Sequence, residues 1–241
     1  MAQHLHREIG NLKKKILTLS ALVEEAVGTA VRSIAQDDAS LAHYVIDHDF
    51  EIDQMEVDVE EECLKIIALH QPVAVDMRFI VAVLKINNDL ERIGDLAVNV
   101  AEQGEYLAVH PKVDIAFDFA GMADKTQVML RHSLDALVNM DSEMAHSVCV
   151  SDDVVDAINR KMYGLVEDGI RRNPENVETL IHLLSVSRHL ERIADLATNI
   201  SEDVIYMIEG VIVRHRVEDF AANTRRKTAE NATPAKVNPA P

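Results

Sequence analysis

The chain has no tryptophan and few other aromatics, five phenylalanines and four tyrosines, with only eight glycines and six prolines among 241 residues. A sheet protein draws heavily on aromatic and turn-forming residues, so this scarcity argues for helices packed through Leu, Ile, Val and Ala. The two cysteines, Cys63 and Cys149, stand far apart with no CxxC pair, which fits a reducing, cytoplasmic compartment. No run of eighteen apolar residues occurs, and Met1-Ala2-Gln3-His4-Leu5-His6 lacks the apolar stretch of a signal peptide. Direct membrane insertion is therefore not expected, and any membrane role goes through a partner. Phosphate-binding and dinucleotide-binding glycine patterns are missing too, and no Ser or Cys stands in a recognisable nucleophile context.

Basic side chains are outnumbered 24 to 41, for a net charge of -17. Residues 214–241 hold six Lys or Arg against three Asp or Glu, so the remaining body carries 18 basic and 38 acidic groups. A body at -20 repels phosphate backbones, excluding nucleic acid as a ready partner, and gathers cations near its surface.

What is present is said twice. Leu90-Glu91-Arg92-Ile93-Gly94-Asp95-Leu96-Ala97-Val98-Asn99 returns as Leu190-Glu191-Arg192-Ile193-Ala194-Asp195-Leu196-Ala197-Thr198-Asn199, identical at eight of ten positions. Upstream, Ala42-His43-Tyr44-Val45 corresponds to Ala145-His146-Ser147-Val148, and Asp49 and Asp53 to Asp152 and Asp156. These upstream pairs lie 103 residues apart and the later block 100 apart, so three residues are missing from the second copy, at its proline turn. Self-similarity on this scale means two copies of one structural unit.

Helical periodicity fills each copy. Helices are predicted over 5–36, 38–69 and 75–104 or beyond, then over 114–139, 140–171 and 175–210. Asp37-Asp38-Ala39-Ser40 caps the second helix, and Gln71-Pro72 and Arg172-Asn173-Pro174 break the chain at matching places. The fold expected is all-α, two tandem antiparallel three-helix bundles over 1–113 and 114–220, divided near His110-Pro111-Lys112-Val113. Residues 221–241 hold too little apolar material to fold. Met122, Met129, Met140, Met144 and Met162 read as core filler.

On a helical wheel Leu90, Ile93, Ala97 and Val100 gather on one side, with Glu91, Asp95, Asn99 and Glu102 roughly opposite. The second copy sets Glu191, Asp195, Asn199 and Glu202 against Leu190, Ile193, Ala197 and Ile200. Asp49/Asp53 and Asp152/Asp156 add carboxylate pairs one turn apart, and Glu56 and Glu60 prolong the first line. Such stripes are ordinarily solvated faces. Against that, like charges at i, i+4 destabilise a helix by about 0.2–0.5 kcal/mol each, and here the pattern recurs on four helices. A bound cation turns the repulsion into ligation. Carboxylate and amide oxygens suit magnesium, manganese or calcium, and carboxylate-rich sites also take iron or zinc. Arg92 and Arg192 are expected to clamp carboxylates of a neighbouring helix. His43 and His146 recur as half-exposed helix histidines. Glu143 and His146 fit half of a di-iron motif whose second half is absent.

The paired carboxylates, the Leu-Glu-Arg-Ile-[Gly/Ala]-Asp block in both halves, and Gln71-Pro72-Val73-Ala74-Val75-Asp76-Met77-Arg78 resemble the PhoU family over about residues 5–215. The resemblance implies two similar three-helix bundles and a non-enzymatic regulator of phosphate uptake and phosphate-starvation signalling. Such a regulator links the ATP-binding subunit of a phosphate ABC transporter to a sensor histidine kinase, as a homodimer in many members. It further implies divalent or multinuclear metal ions (iron, zinc, manganese or magnesium) on the acidic faces. The ligands carried over are Asp49, Asp53, Glu91 and Asp95 in the first copy and Asp152, Asp156, Glu191 and Asp195 in the second, with Asn99 and Asn199 as additional ligands. The second copy departs at Asn159, where the first has Glu56, and at Ser187-Arg188-His189, where the first has Asn87-Asn88-Asp89. Fewer acids there imply weaker or different metal loading. The competing readings are a carboxylate-bridged di-iron oxidoreductase and a metal-free helical scaffold.

Overall fold

The computed structural model describes residues 2–213; the tail predicted for 221–241 lies outside the described residues. Six helices account for nearly all of it: α1 (Ala2–Gln36), α2 (Ala39–His70), α3 (Val75–Val109), α4 (Phe119–Asn139), α5 (Ser142–Arg172) and α6 (Val177–Glu209). A 3-10 turn over Pro174–Asn176 precedes α6, and no strand occurs among the described residues.

The breaks come from residues with clear physical roles. The Asp38 carboxylate accepts from the Ser40 amide at 2.9 Å and caps α2, as the sequence predicts. Asp141, 103 residues on, caps α5 by accepting from the Met144 amide at 3.0 Å. Preceding each cap, Asp37 and Met140 take the left-handed conformation, φ 53° in both. Met140 is therefore a helix terminator at the surface and not core filler, whereas Met122, Met129 and Met162 are buried. Gln71, also left-handed, ends α2 one residue before Pro72.

One boundary differs by a full turn. The sequence predicts α4 from residue 114, but it begins at Phe119, where the Asp118 carboxylate accepts from the Gly121 amide at 3.0 Å. Residues 113–117 carry no regular secondary structure instead, with the Phe117 amide donating to the Ile115 carbonyl at 2.8 Å. Val113, Ile115 and Phe117 turn alternately inward against a small core of Met162, Val166 and Leu180. Their period-two burial outcompetes helix formation there.

Within each half three helices pack antiparallel, and the two halves are fused. Contacts between Lys85 and Asp203 (3.0 Å) and between Gln103 and His182 (2.6 Å) show α3 and α6 running antiparallel against each other. The main core is continuous across all six helices. Leu12, Ile16, Ile86, Leu90, Ile93, Leu130 and Leu190 are among its fully enclosed side chains. At the seam, Tyr106 stacks on His110 and His182, with centroids 3.7 and 3.5 Å away. Salt bridges Lys112–Asp37 (2.6 Å) and Arg131–Glu24 (2.8 Å) close the periphery. No described helix is long and apolar enough to cross a membrane.

Candidate metal centres

In each half the predicted carboxylates line the groove where the second and third helices meet, and among the described residues only three of the second half converge closely enough to hold one ion together. Asp152 and Asp156 rise from α5 one turn apart, and Asp195 reaches across from α6. Single oxygens of these three lie within 4.8 Å of one another. One oxygen of Asp152, Oδ1, is buried and accepts no hydrogen bond. Burial, and then the charges of Asp195, Asp156 and Glu191, push the Asp152 carboxyl up to about 7. Asp195 is raised by burial and by Asp156, and Glu191 by burial, Asp195 and Asp156. Arg192 counters both shifts, Arg188 counters that of Glu191, and Arg160 lies 3.4 Å from Asp156.

The first copy assembles Asp49 and Asp53 from α2 with Glu91 and Asp95 from α3. Burial, then Asp53 and Asp95, raise Asp49 to about 6. Glu91 is raised by burial and by Asp95, Asp53, Glu56 and Asp49 together. No arginine is among the causes at Asp49 or Glu91. Glu56 is drawn in as well, raised by burial, Glu60 and Asp53, while accepting from the Asn87 amide at 3.0 Å.

Close approach of the helices is set by a matched pair of substitutions. A methyl at Gly94 would come within 3.1 Å of the Ile52 side chain and 3.6 Å of an Asp49 oxygen. The second copy has Ala194 instead of Gly94, and at the counterpart of Ile52 the smaller Val155, both fully buried. Gly with Ile and Ala with Val fill one space at nearly constant volume. Reading residues singly missed this, although both differences are visible when the copies are aligned.

Other predicted residues lie elsewhere or bond differently. Asn99 donates its amide to the Asp95 carbonyl at 2.8 Å, leaving its side-chain oxygen for another partner. Asn199 is exposed on the same face of α6. Glu202, expected on the solvated stripe, is 9% exposed and neighbours the half-buried Cys149. The wheel misplaces it because α6 packs against α3, α4 and α5, which leaves its C-terminal half little free face. Arg92 does not clamp a neighbouring helix; it lies 3.6 Å from Asp89 on its own. Asn159 is buried and accepts from the Ser187 hydroxyl at 2.8 Å, so the Glu56–Asn87 contact of the first copy is replaced by a neutral one. His43 faces Glu105 at 3.8 Å, and His146 faces Glu209 at 3.5 Å.

These donors fit a hard divalent cation. They are oxygens, several are held close in pairs, and one is desolvated without a hydrogen-bond donor to replace its water. Iron and zinc also take carboxylate-rich sites.

The family model described as the PhoU domain matches this chain twice, over residues 16–104 and 119–204. A phosphate-specific transport system accessory protein PhoU homolog of Aquifex aeolicus is 36% identical over 212 residues, 88% of this chain and 96% of that protein. The corresponding homolog of Pseudomonas putida is 32% identical over 95% of this chain and 88% of its own. The crystal structure of PhoU from Pseudomonas aeruginosa superposes with a TM-score of 0.83 at 32% identity, over 86% of this chain and 99% of that one. That of the phosphate transport system regulatory protein PhoU from Streptococcus pneumoniae gives 0.78 at 27% identity, over 87% and 99%. With the duplicated bundle, the doubled domain match and these relatives in agreement, the chain belongs to the PhoU family.

Proposed function

We propose that this protein is a cytoplasmic negative regulator of phosphate uptake and of phosphate-starvation signalling, and that the two carboxylate clusters bind divalent or multinuclear metal ions. The relatives' role as accessory proteins of phosphate-specific transport supports the first part. The observation that carries the second is the triad of Asp152, Asp156 and Asp195, in which one Asp152 oxygen is buried and accepts no hydrogen bond. Asp49, Asp53, Glu91 and Asp95 form the counterpart in the first copy, and Asn99 and Asn199 extend the two sites.

The role of the metal in this reading is structural. A bound cation neutralises carboxylates that otherwise repel one another across α2–α3 and α5–α6, stiffening both grooves. The stiffened surface docks on the ATP-binding subunit of a phosphate ABC transporter or on a sensor histidine kinase. It biases that partner toward its quiet state by binding that state more tightly. The working form is a homodimer, and no turnover is assigned to it. A di-iron oxidoreductase would need histidine among the clustered carboxylates, and His146 faces Glu209 instead. Deleting the gene should derepress starvation-induced alkaline phosphatase in phosphate-rich medium, with wild-type protein restoring repression. Full repression in the deletion strain would overturn the regulatory reading.

A further inference from the structure

The two copies keep the same four carboxylates but surround them with different charge. In the first, Glu56 and Glu60 join Asp49, Asp53, Glu91 and Asp95 in one interacting group of six acids with no arginine acting within it. In the second, Glu56 and Glu60 give way to Asn159 and Tyr163, Val57 to Arg160, and Asn88 to Arg188. Asp153, standing where the first copy has Phe50, is a change in the other direction. The second group therefore sets five acids, Asp152, Asp153, Asp156, Glu191 and Asp195, against Arg160, Arg188 and Arg192. Its charge is -2 where that of the first group is -6, so one divalent cation brings the second to neutrality and leaves the first at -4.

The arginines also differ in what holds them. Arg92 lies 3.6 Å from Asp89, and Arg160 lies 3.4 Å from Asp156. His189 stands where the first copy has Asp89 and offers no carboxylate. Arg188 and Arg192, one turn apart on the exposed face of α6, accordingly make no ion pair or hydrogen bond among the described residues. Two guanidiniums with free donors thus stand beside a triad that gives a cation three oxygens. Hard divalent cations take six or more oxygen ligands, and magnesium in particular is commonly held by a few carboxylates with phosphate oxygens completing its shell. The arginine fork matches those same oxygens two at a time.

We propose that the second cluster, once loaded with its cation, binds inorganic phosphate, whose oxygens complete the cation's shell and accept from Arg188 and Arg192, and that the first cluster takes none. A multiply charged oxyanion is what such a site selects: a cluster brought to neutrality, a cation with open positions and two unpaired guanidiniums. The first cluster, still at -4 with one cation and with Arg92 tied to Asp89, repels the same ion. Resting on the metal reading above, this gives the regulator direct contact with the ion whose uptake it governs.

Full-length protein is loaded with manganese, desalted, assayed for metal and then titrated with orthophosphate by calorimetry. The expected result is saturable binding of one phosphate per chain below millimolar concentration. Manganese should also broaden the phosphorus resonance of the bound ion, and metal-stripped protein should neither bind nor broaden it. The R188Q/R192Q variant should keep its metal and bind phosphate at least tenfold more weakly, with circular dichroism confirming that the fold is kept. R92Q should bind phosphate as wild type does, and D152N/D195N should not bind it. Equal phosphate affinity in R188Q/R192Q overturns the assignment, as does equally tight binding by metal-stripped protein or a tenfold loss in R92Q. Sulfate bound as tightly as orthophosphate would mark general anion attraction and overturn it too. O-phosphoserine bound more tightly than orthophosphate would point to a phosphorylated partner and overturn the assignment to the free ion. Stoichiometric metal without saturable phosphate binding defeats this site alone, whereas wild type that takes up no manganese defeats the metal reading and this site with it.

Discussion

In the first bundle Asp49, Asp53, Glu91 and Asp95 sit with Glu56 and Glu60, and no arginine acts on the raised members of the group. In the second, Asp152, Asp156, Glu191 and Asp195 have lost the counterpart of Glu56 and acquired Arg160 and Arg188 as neighbours, and Arg192 acts on them where its counterpart Arg92 lies against Asp89. Counting acids ranks the first cluster as the more strained. Yet Asp152 is pushed up to about 7 and Asp49 to about 6, because burial is the leading cause at both. At Asp152 burial leads and four acidic neighbours add to it, against two at Asp49, so depth and local charge push in the same direction. The second cluster is accordingly the more compact, with the arginines acting as partial counter-charges around it.

The volume exchange at the helix crossing is the place to break this comparison with the largest effect. Gly94→Ala should destabilise the protein by about 1–3 kcal/mol through overpacking against Ile52, and Ile52→Val should restore most of that loss in the double variant. Urea denaturation of the four proteins checks it. Additive losses would show that the two copies do not compensate as described. The same cycle should displace Asp49 relative to Asp95 and leave the second cluster untouched.

A smaller effect separates the two halves from their seam. Burial first, and then the neighbouring His110, hold His182 below its ordinary value of 6.5, while Glu178 opposes the shift. A histidine depressed in the folded state adds stability above its unfolded value, and that stability is lost as pH falls below about 6.5. Asp152 and Asp49, raised to about 7 and about 6, act the opposite way and outweigh it, so the melting temperature of the metal-free protein should rise between pH 7 and pH 5, and His182→Gln should steepen that rise by a small amount. Because the core runs through α3 and α6 without a break, wild type should melt in one transition at both pH values. Two resolved transitions would mean the bundles are thermodynamically separate.

Much of this architecture could be read from the chain. Asp38, Asp141, Gln71-Pro72 and Asn173-Pro174 mark breaks in positions that caps and prolines dictate, and the doubled Leu-Glu-Arg-Ile block gives the repeat outright. The candidate ligands were legible as well, since i, i+4 spacing puts Asp49 beside Asp53 and Asp152 beside Asp156. What escaped depended on neighbours from distant sequence. The burial of Glu202 requires knowing that three helices surround α6. The partner of Asp203 is Lys85 from the other half. Val113, Ile115 and Phe117 left the helical register because a small core of the second bundle was waiting for them.

The central claim is that the repeated carboxylate clusters hold cations. Elemental analysis of protein loaded with manganese, zinc or ferrous iron and then desalted tests it most directly, comparing wild type with D49N/D95N, with D152N/D195N and with all four changes together. The account predicts stoichiometric metal in wild type, loss of only the local share in each pair variant, and none in the fourfold variant. Metal-free wild type under every loading condition, or a fourfold variant that retains as much metal as wild type, would contradict it.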